Sequence, residues 1–452
     1  MTRKLLAILF LQCLLCTASA VNYLTFTAEE DGSQFGIIKY GNDPDVQYSL
    51  DEGKTWMQLI DEEMVILEHK GDKALLKGEN PDGFDENDVY YTKFKMTGSI
   101  AASGSVMSLI DGIGESVIIP SQACFYRLFA KCASLTQAPE LPATTLNFKC
   151  YYEMFIGCSS LTKAPALPAT TLAQTCYEEM FKDCSNLTQA PVLSATILTH
   201  TCYASMFENC TSLTKAPHLP ATTLDYGCYA SMFMNCTNLT QAPELPATQM
   251  ESFCYSAMFS GCSSLKEAPK LPATQMGWCC YKGMFKGCTS LTKAPVLPAT
   301  KIYSDYANDM FKDCINLNEI SIAITQWDGI GAAGLRYEGT ENWVANVAPT
   351  GTFICPKELP IEYGASRIPE GWNIVYIDED NAVEDLYNKN NRVWAEGLNL
   401  HVRYTGEVIV YDLNGKQINK AQGDALTPAC LSMPAHGIYI VKTGKECTKV
   451  EM

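Results

Sequence analysis

Residues Cys150 to Thr175 read CYYEMFIGCSSLTKAPALPATTLAQT, and close copies of this 26-residue unit lie on both sides of it. The opening cysteine recurs at Cys124, Cys150, Cys176, Cys202, Cys228, Cys254 and Cys280, with Tyr306 in the eighth place. A second cysteine recurs at Cys132, Cys158, Cys184, Cys210, Cys236, Cys262, Cys288 and Cys314. A fixed period of about 20–50 residues marks a solenoid or a propeller, because each unit can bury its apolar side only against its neighbours. Eight units fill residues 119–320. The rest of the chain is read as what delivers, caps or tethers them.

Within one unit, Cys150, Tyr151, Met154, Phe155 and Cys158 sit at offsets 0, 1, 4, 5 and 8. At about 100° per residue they share an arc of roughly 140°, which predicts a short amphipathic helix. The residue before the second cysteine is Gly, Asn or Asp in seven of the eight units, Lys131 being the exception. Such residues tolerate a left-handed backbone and end helices. Ser or Asn, then Leu, follows in each unit, as in Ser134-Leu135 and Asn186-Leu187. The S-L-T-x-A segment predicts a short strand stacked in parallel on its neighbours. Pro139 and its equivalents lack an amide donor and should stop the pairing. The fold class expected is an α/β solenoid, a leucine-rich-repeat array.

The pattern F-x-G-C-x-S-L-T-x-A-P-x-L-P, as at Phe155 to Pro168, resembles the BspA-like leucine-rich repeats of bacterial surface proteins. Ala-Pro here replaces that family's usual I-x step, the unit is longer, and an extra cysteine opens each unit. The resemblance implies export and adhesion to host proteins or other cells. It identifies no ligand.

A candidate contact surface follows from the strand. If Leu135 and Ala138 point inward, two columns point out. One runs Gln137, Lys163, Gln189, Lys215, Gln241, Glu267 and Lys293; the other runs Glu140, Ala166, Val192, His218, Glu244, Lys270 and Val296. The second varies most in chemistry while its flanks stay fixed. A varied exposed column on a rigid scaffold reads as a ligand face or as unconstrained solvent-facing positions.

The flanks read as follows. Residues 1–20 form a signal peptide: Arg3-Lys4, an apolar run from Leu5 to Cys16, and a cleavage site after Ala20. Residues 21–118 read as a β domain and N-cap, with strands near Tyr23–Thr27, Met64–Leu67 and Ala74–Leu76. Ser49 to Trp56 fits the Asp-box pattern S-x-D-x-G-x-T-W, a hairpin turn shared by sialidases and many unrelated β proteins. The sialidase reading fails, because no arginine lies between Val21 and Ile118. The loop Asn80 to Asp88 offers Asp82, Asp85 and Asp88, but the spacing fits no EF-hand and a solvated acidic loop is expected. The same stretch, Gly98 to Ile110 in particular, should cover the first unit.

Residues 321–377, with Trp327, Trp343 and Trp372, should close the other end. Residues 378–452 begin as an acidic linker and continue as a small β-sandwich with an Asn-Gly hairpin at Asp412 to Lys416. The run V-I-V-Y-D-L-N-G-K, the strand G-I-Y-I-V-K and terminal Lys449-Val450 resemble the C-terminal sorting domain of type IX secretion. The resemblance implies engagement of the secretion machinery; an ordinary β-sandwich is the other reading.

Composition limits function. The net charge is −17, and Val21 to Ile118 holds 19 acidic against 7 basic residues, which opposes nucleic-acid partners. Setting aside Cys13 and Cys16 in the leader, nineteen cysteines remain. Two cysteines eight apart on a helix would stand roughly 12 Å apart, beyond disulfide reach, so the columns read as reduced core. Pairs between neighbouring units are the other possibility. The five histidines, His69, His200, His218, His401 and His436, are scattered. No catalytic triad, metal-ligand pair or phosphate loop appears, so no enzyme, no cofactor, no metal and no transmembrane helix are expected. A protein or glycan ligand at the cell surface is the expected partner, with a structural or glycan-associated envelope role as the alternative.

Overall fold

The computed structural model describes residues 21–85, 87–302, 305–330, 336–377, 393–396, 399–402, 406–423, 429–435, 437–443 and 446–451. Residues 1–20, read from the sequence as a signal peptide, and the acidic stretch Asp378 to Asp385 lie outside the described residues, as does His436. Among the described residues the single α-helix is the one turn α1, Ser108–Asp111; the other regular elements are short strands.

The helix expected in each repeat is therefore absent, and the α/β reading is corrected: the array is built of turns and very short strands. From Cys150 to Cys158 the chain makes overlapping turns. The amides of Tyr152, Met154, Ile156 and Cys158 donate to carbonyls three residues back, at 3.1–3.2 Å. Those of Tyr151, Glu153, Phe155 and Gly157 donate instead to Cys176, Glu178, Met180 and Lys182 of the next copy, at 2.8–3.1 Å. An α-helix would turn all of these bonds inward.

Spacing between copies explains the difference. Ring centroids of successive phenylalanines from Phe129 to Phe311 lie 5.4–5.8 Å apart, with planes within 1–11° of parallel. Packed helices need about 8–10 Å between axes. One helix per copy cannot fit at the observed interval, whereas backbone rungs at roughly strand spacing can. A second ladder, Tyr151 to Tyr281, stacks beside the first at 5.9–6.3 Å.

The turns require a left-handed residue at every fourth position. Lys149, Glu153 and Gly157 have φ of 55°, 54° and 72°. The column from Lys131 to Asp313, singled out in the sequence, is left-handed in every copy, Lys131 included. The thiols also bind copy to copy. Each second-row thiol from Cys158 to Cys314 donates to the phenylalanine carbonyl of the preceding copy, at 2.9–3.1 Å. Cysteine suits that position because it is small, apolar and a weak donor. The cysteines of both rows are buried and free.

After this first side the chain makes two more short sides. The second contains the S-L-T-x-A segment, bridged in parallel at Lys163–Gln189, Lys215–Gln241 and Gln241–Glu267, just ahead of the Ala-Pro step. The third contains the A-T-T segment, bridged at Ile197–Thr223 and Leu224–Met250 and paired in parallel between Gln249–Met250 and Gln275–Met276.

The N-terminal region is a two-layer β structure. Its strands are β1 (Leu24–Ala28), β2 (Ser33–Tyr40), β3 (Gln47–Ser49), β4 (Met57–Gln58), β5 (Met64–Leu67), β6 (Lys73–Lys77), β7 (Tyr91–Thr97) and β8 (Ile100–Ser103). One sheet runs β4-β3-β6-β1-β8 and the other β5-β2-β7. Phe26 meets Phe35 and Phe94 edge-on between the layers, at 5.3 and 5.0 Å. The first sheet then continues into the array: β8 pairs in parallel with β9, Leu135–Gln137. Phe94 stacks on Phe129 at 5.3 Å and so opens the phenylalanine ladder. The Gly98 to Ile110 stretch covers the first copy by strand addition as well as by apolar contact.

At the other end the copy-to-copy bonding outlasts the sequence period. Asp309, Phe311 and Asp313 donate to Glu341, Trp343 and Ala345 at 2.7–2.8 Å, and Asn342 and Asn346 are left-handed like their counterparts. Trp343 takes the place of phenylalanine, 6.1 Å from Phe311. Strands Glu319–Ser321, Thr352–Pro356 and Asn373–Ile377 form a parallel sheet. One buried core runs from Leu24 to Trp372. The C-terminal residues have a core of their own, around Leu400, Val410, Leu431 and Val441, between a three-stranded and a four-stranded antiparallel sheet. Asp412 closes the expected hairpin, its Oδ1 accepting from Asn414 and Lys416 amides at 2.9 Å.

Candidate functional site

The second side carries the residues chosen from the sequence. Leu135 is buried and Ala138 half-buried, as the inward positions require. Of the fourteen outward residues, thirteen are exposed: Gln137, Glu140, Lys163, Ala166, Gln189, Val192, Lys215, His218, Gln241, Glu244, Glu267, Lys270 and Lys293. Val296 is half-buried. Parallel pairing from copy to copy puts each column in line, since one rung repeats the last.

Five of the fourteen line one groove. Gln137, Glu140, Lys163, Ala166 and Val192 border a hollow of about 830 Å³ with the prolines Pro139, Pro142, Pro165, Pro168 and Pro191. Val192 is 76% exposed, an unusual position for a branched apolar side chain. The proline row was read from sequence only as a stop to strand pairing. It also stiffens the wall of the hollow, and its recurrence one residue after alanine in seven copies, Pro139 to Pro295, was the available signal.

Charge on this side is partly committed. Glu140 Oε2 accepts from Asn22 Nδ2 at 2.8 Å. Lys293 pairs with Glu319 at 2.7 Å. Lys270 has its pKa lowered by desolvation, an effect that nearby Glu244 opposes. Glu140 and Lys163, of opposite sign, edge a hollow that is otherwise lined mainly by proline, alanine, leucine and valine.

The other sequence motifs have structural roles. Asp51 of the Asp-box accepts from the Thr55 amide and hydroxyl, at 2.9 and 2.7 Å, and from Ser49 at 2.8 Å; these bonds lower its pKa to about 2. Trp56 packs edge-on against Tyr23 at 5.0 Å, with the Lys77 ammonium 4.5 Å from its ring. In the acidic loop, Asp82 is exposed and Asp88 pairs with Lys149 at 2.6 Å. Asp85 is buried: Oδ1 accepts from Asn42 and from the Thr92 amide at 2.9 and 2.8 Å, while Oδ2 is unpartnered. Burial raises its pKa well above the carboxylate range. Among the described residues no cluster of three His, Cys, Asp or Glu could hold a metal ion, and no helix is long and apolar enough to cross a membrane.

No protein family, curated protein or solved structure matches the chain.

Proposed function

We propose that the chain is an exported surface protein whose eight repeats form a solenoid, and that it binds a protein ligand on the second side without catalysis. The groove at Gln137 to Val192 carries the reading, because it gathers both predicted columns around a proline-lined floor. Stacked units offer an extended binding surface, and the polar rim around an apolar floor suits a protein partner. The leader and the resemblance to BspA-like repeats support location outside the cell. The two-sheet C-terminal unit is consistent in form with a type IX sorting domain.

Binding of the purified chain to immobilised host matrix proteins tests the ligand face. The substitutions Val192→Glu, His218→Glu and Lys270→Glu should weaken binding about tenfold or more. A bound partner that is indifferent to all three substitutions sinks the assignment of this side. Deletion of residues 382–452 should abolish surface display; normal display would remove the sorting role.

A further inference from the structure

The third side of each copy carries a surface that neither core nor turns explain. Its leading column is threonine without exception, from Thr144 at every twenty-sixth residue to Thr300. All seven are exposed, and their hydroxyls make no hydrogen bond among the described residues. The next position is equally exposed but drifts, from Thr145 to Ile197, Gln249 and Lys301. Both columns share one history of duplication, so the age of the repeats does not account for the contrast. Elsewhere a fixed residue has an internal cause: burial for the Phe and Leu rows, positive φ for the Gly, Asn and Asp positions. The threonines are neither buried nor left-handed.

Four residues further on, the same side holds exposed rings. Trp278 is 51% exposed and Tyr226 40%. His200 stacks on Tyr226 at 4.9 Å, with planes 8° apart. Their backbone is fixed: the carbonyls of His200, Tyr226 and Trp278 each accept an amide from the preceding copy at 2.9 Å. Thr222 and Thr248 border a hollow of about 340 Å³ together with Gln249, Glu251 and Gln275.

We propose that this side binds an extended, neutral polysaccharide. A pyranose ring offers a C–H face that stacks on an aromatic ring, and a rim of hydroxyls that need donors and acceptors. Trp278 supplies the first; Tyr226, with the His200 and Phe253 rings against it at 4.9 and 5.3 Å, adds its exposed edge, and the unpaired threonine hydroxyls and glutamine amides supply the second. The rungs recur at about the length of one sugar unit, so a chain laid along the array meets a threonine hydroxyl at each copy and a ring at some of them. Rings held on a hydrogen-bonded backbone lose little freedom on binding. The net charge of −17 opposes a polyanionic glycan. A protein partner would want a continuous apolar centre, which the threonine and glutamine rows interrupt. The proposal stands on a different side of the copies from the groove and does not depend on it.

Affinity electrophoresis of the full chain tests it, with gels containing β-glucan, xylan, mannan or, as the polyanion, heparin. At least one neutral polysaccharide should retard the protein, and heparin should not. The double substitution Tyr226→Ala with Trp278→Ala should weaken retardation about tenfold, and Thr222→Val with Thr248→Val several-fold. Leu413→Ala, in the C-terminal unit, should leave it unchanged. Unaltered circular dichroism and melting would show that the variants fold; both rings are on the surface. The proposal is overturned by free passage through every neutral gel, by retardation in heparin alone, or by equal retardation of the folded ring variant.

Discussion

At the scale of single residues, the array holds side chains in backbone states they ordinarily avoid. Ala257 has φ of 53° and Ser205 51°, where a Cβ costs about 1–2 kcal/mol. Ala257→Gly removes that cost and adds about 0.5–1 kcal/mol of chain entropy to the unfolded state. The expected outcome is a gain of up to about 1 kcal/mol, read as a higher urea midpoint at unchanged slope. Asp85 is the opposite kind of site, a buried carboxyl with an unpartnered oxygen. Its folded pKa lies above the unfolded value of about 3.9, so the native state keeps the proton longer and this site's contribution falls as pH rises above about 4. Asp85→Asn should stabilise the protein at pH 7 by at least about 1 kcal/mol, with a smaller gain at pH 4. An equal gain at both pH values would contradict it.

At the scale of elements, the second side was legible and the first was not. Leu135, the alternation around it and Pro139 are local signals, and together they located the strand, its inward row and its outward columns. The offsets 0, 1, 4, 5 and 8 were read as a helix because nine residues cannot separate a period of 3.6 from a period of 4. What separates them is the interval between copies, and that is a property of neighbours. Three of the N-terminal strands, β1, β5 and β6, were found for the same local reasons, whereas the pairing of β8 with β9 joins residues far apart in sequence. The continuation through Trp343 was hidden because its interval from Phe311 departs from the repeat. The buried thiols make this element sensitive to alkali. Burial raises the pKa values of Cys132, Cys150 and Cys262 to about 12, against an unfolded value of about 8.5. The stabilising effect is complete below the unfolded value and declines as pH rises through the folded one, by up to about 1.4 kcal/mol per thiol per pH unit. Urea midpoints should fall steeply from pH 8 to pH 10. A flat profile would mean that the thiols are not buried as protonated groups.

At the scale of the whole molecule, the described residues form two separate cores. The N-terminal sheets, the array and the tryptophan-rich end share one of them. Three indoles at that end are satisfied by carbonyls of other segments: Trp327 by Pro360, Trp343 by Arg367 and Trp372 by Ala348, at 2.7–2.8 Å. Removing residues 21–103 would uncover Phe129 and Leu135 and leave β9 without a partner. That truncation should give aggregated or unfolded protein. Removing residues 382–452 should leave the melting temperature of the remainder within about 2 °C, because the C-terminal core is its own. Differential scanning calorimetry distinguishes these outcomes, and a large destabilisation by the second truncation would show that the two cores are coupled.

The joint between successive copies has a further consequence. The same alternate amides and the same thiol-to-carbonyl contact recur along the array, so one joint is chemically interchangeable with the next. Unequal recombination in the gene could remove or add a whole repeat in frame without creating an unfamiliar interface. Loss of only part of a repeat would throw every aromatic and cysteine row out of alignment. The length of the array is thus a trait that heredity can adjust in whole steps, far faster than its cross-section can change.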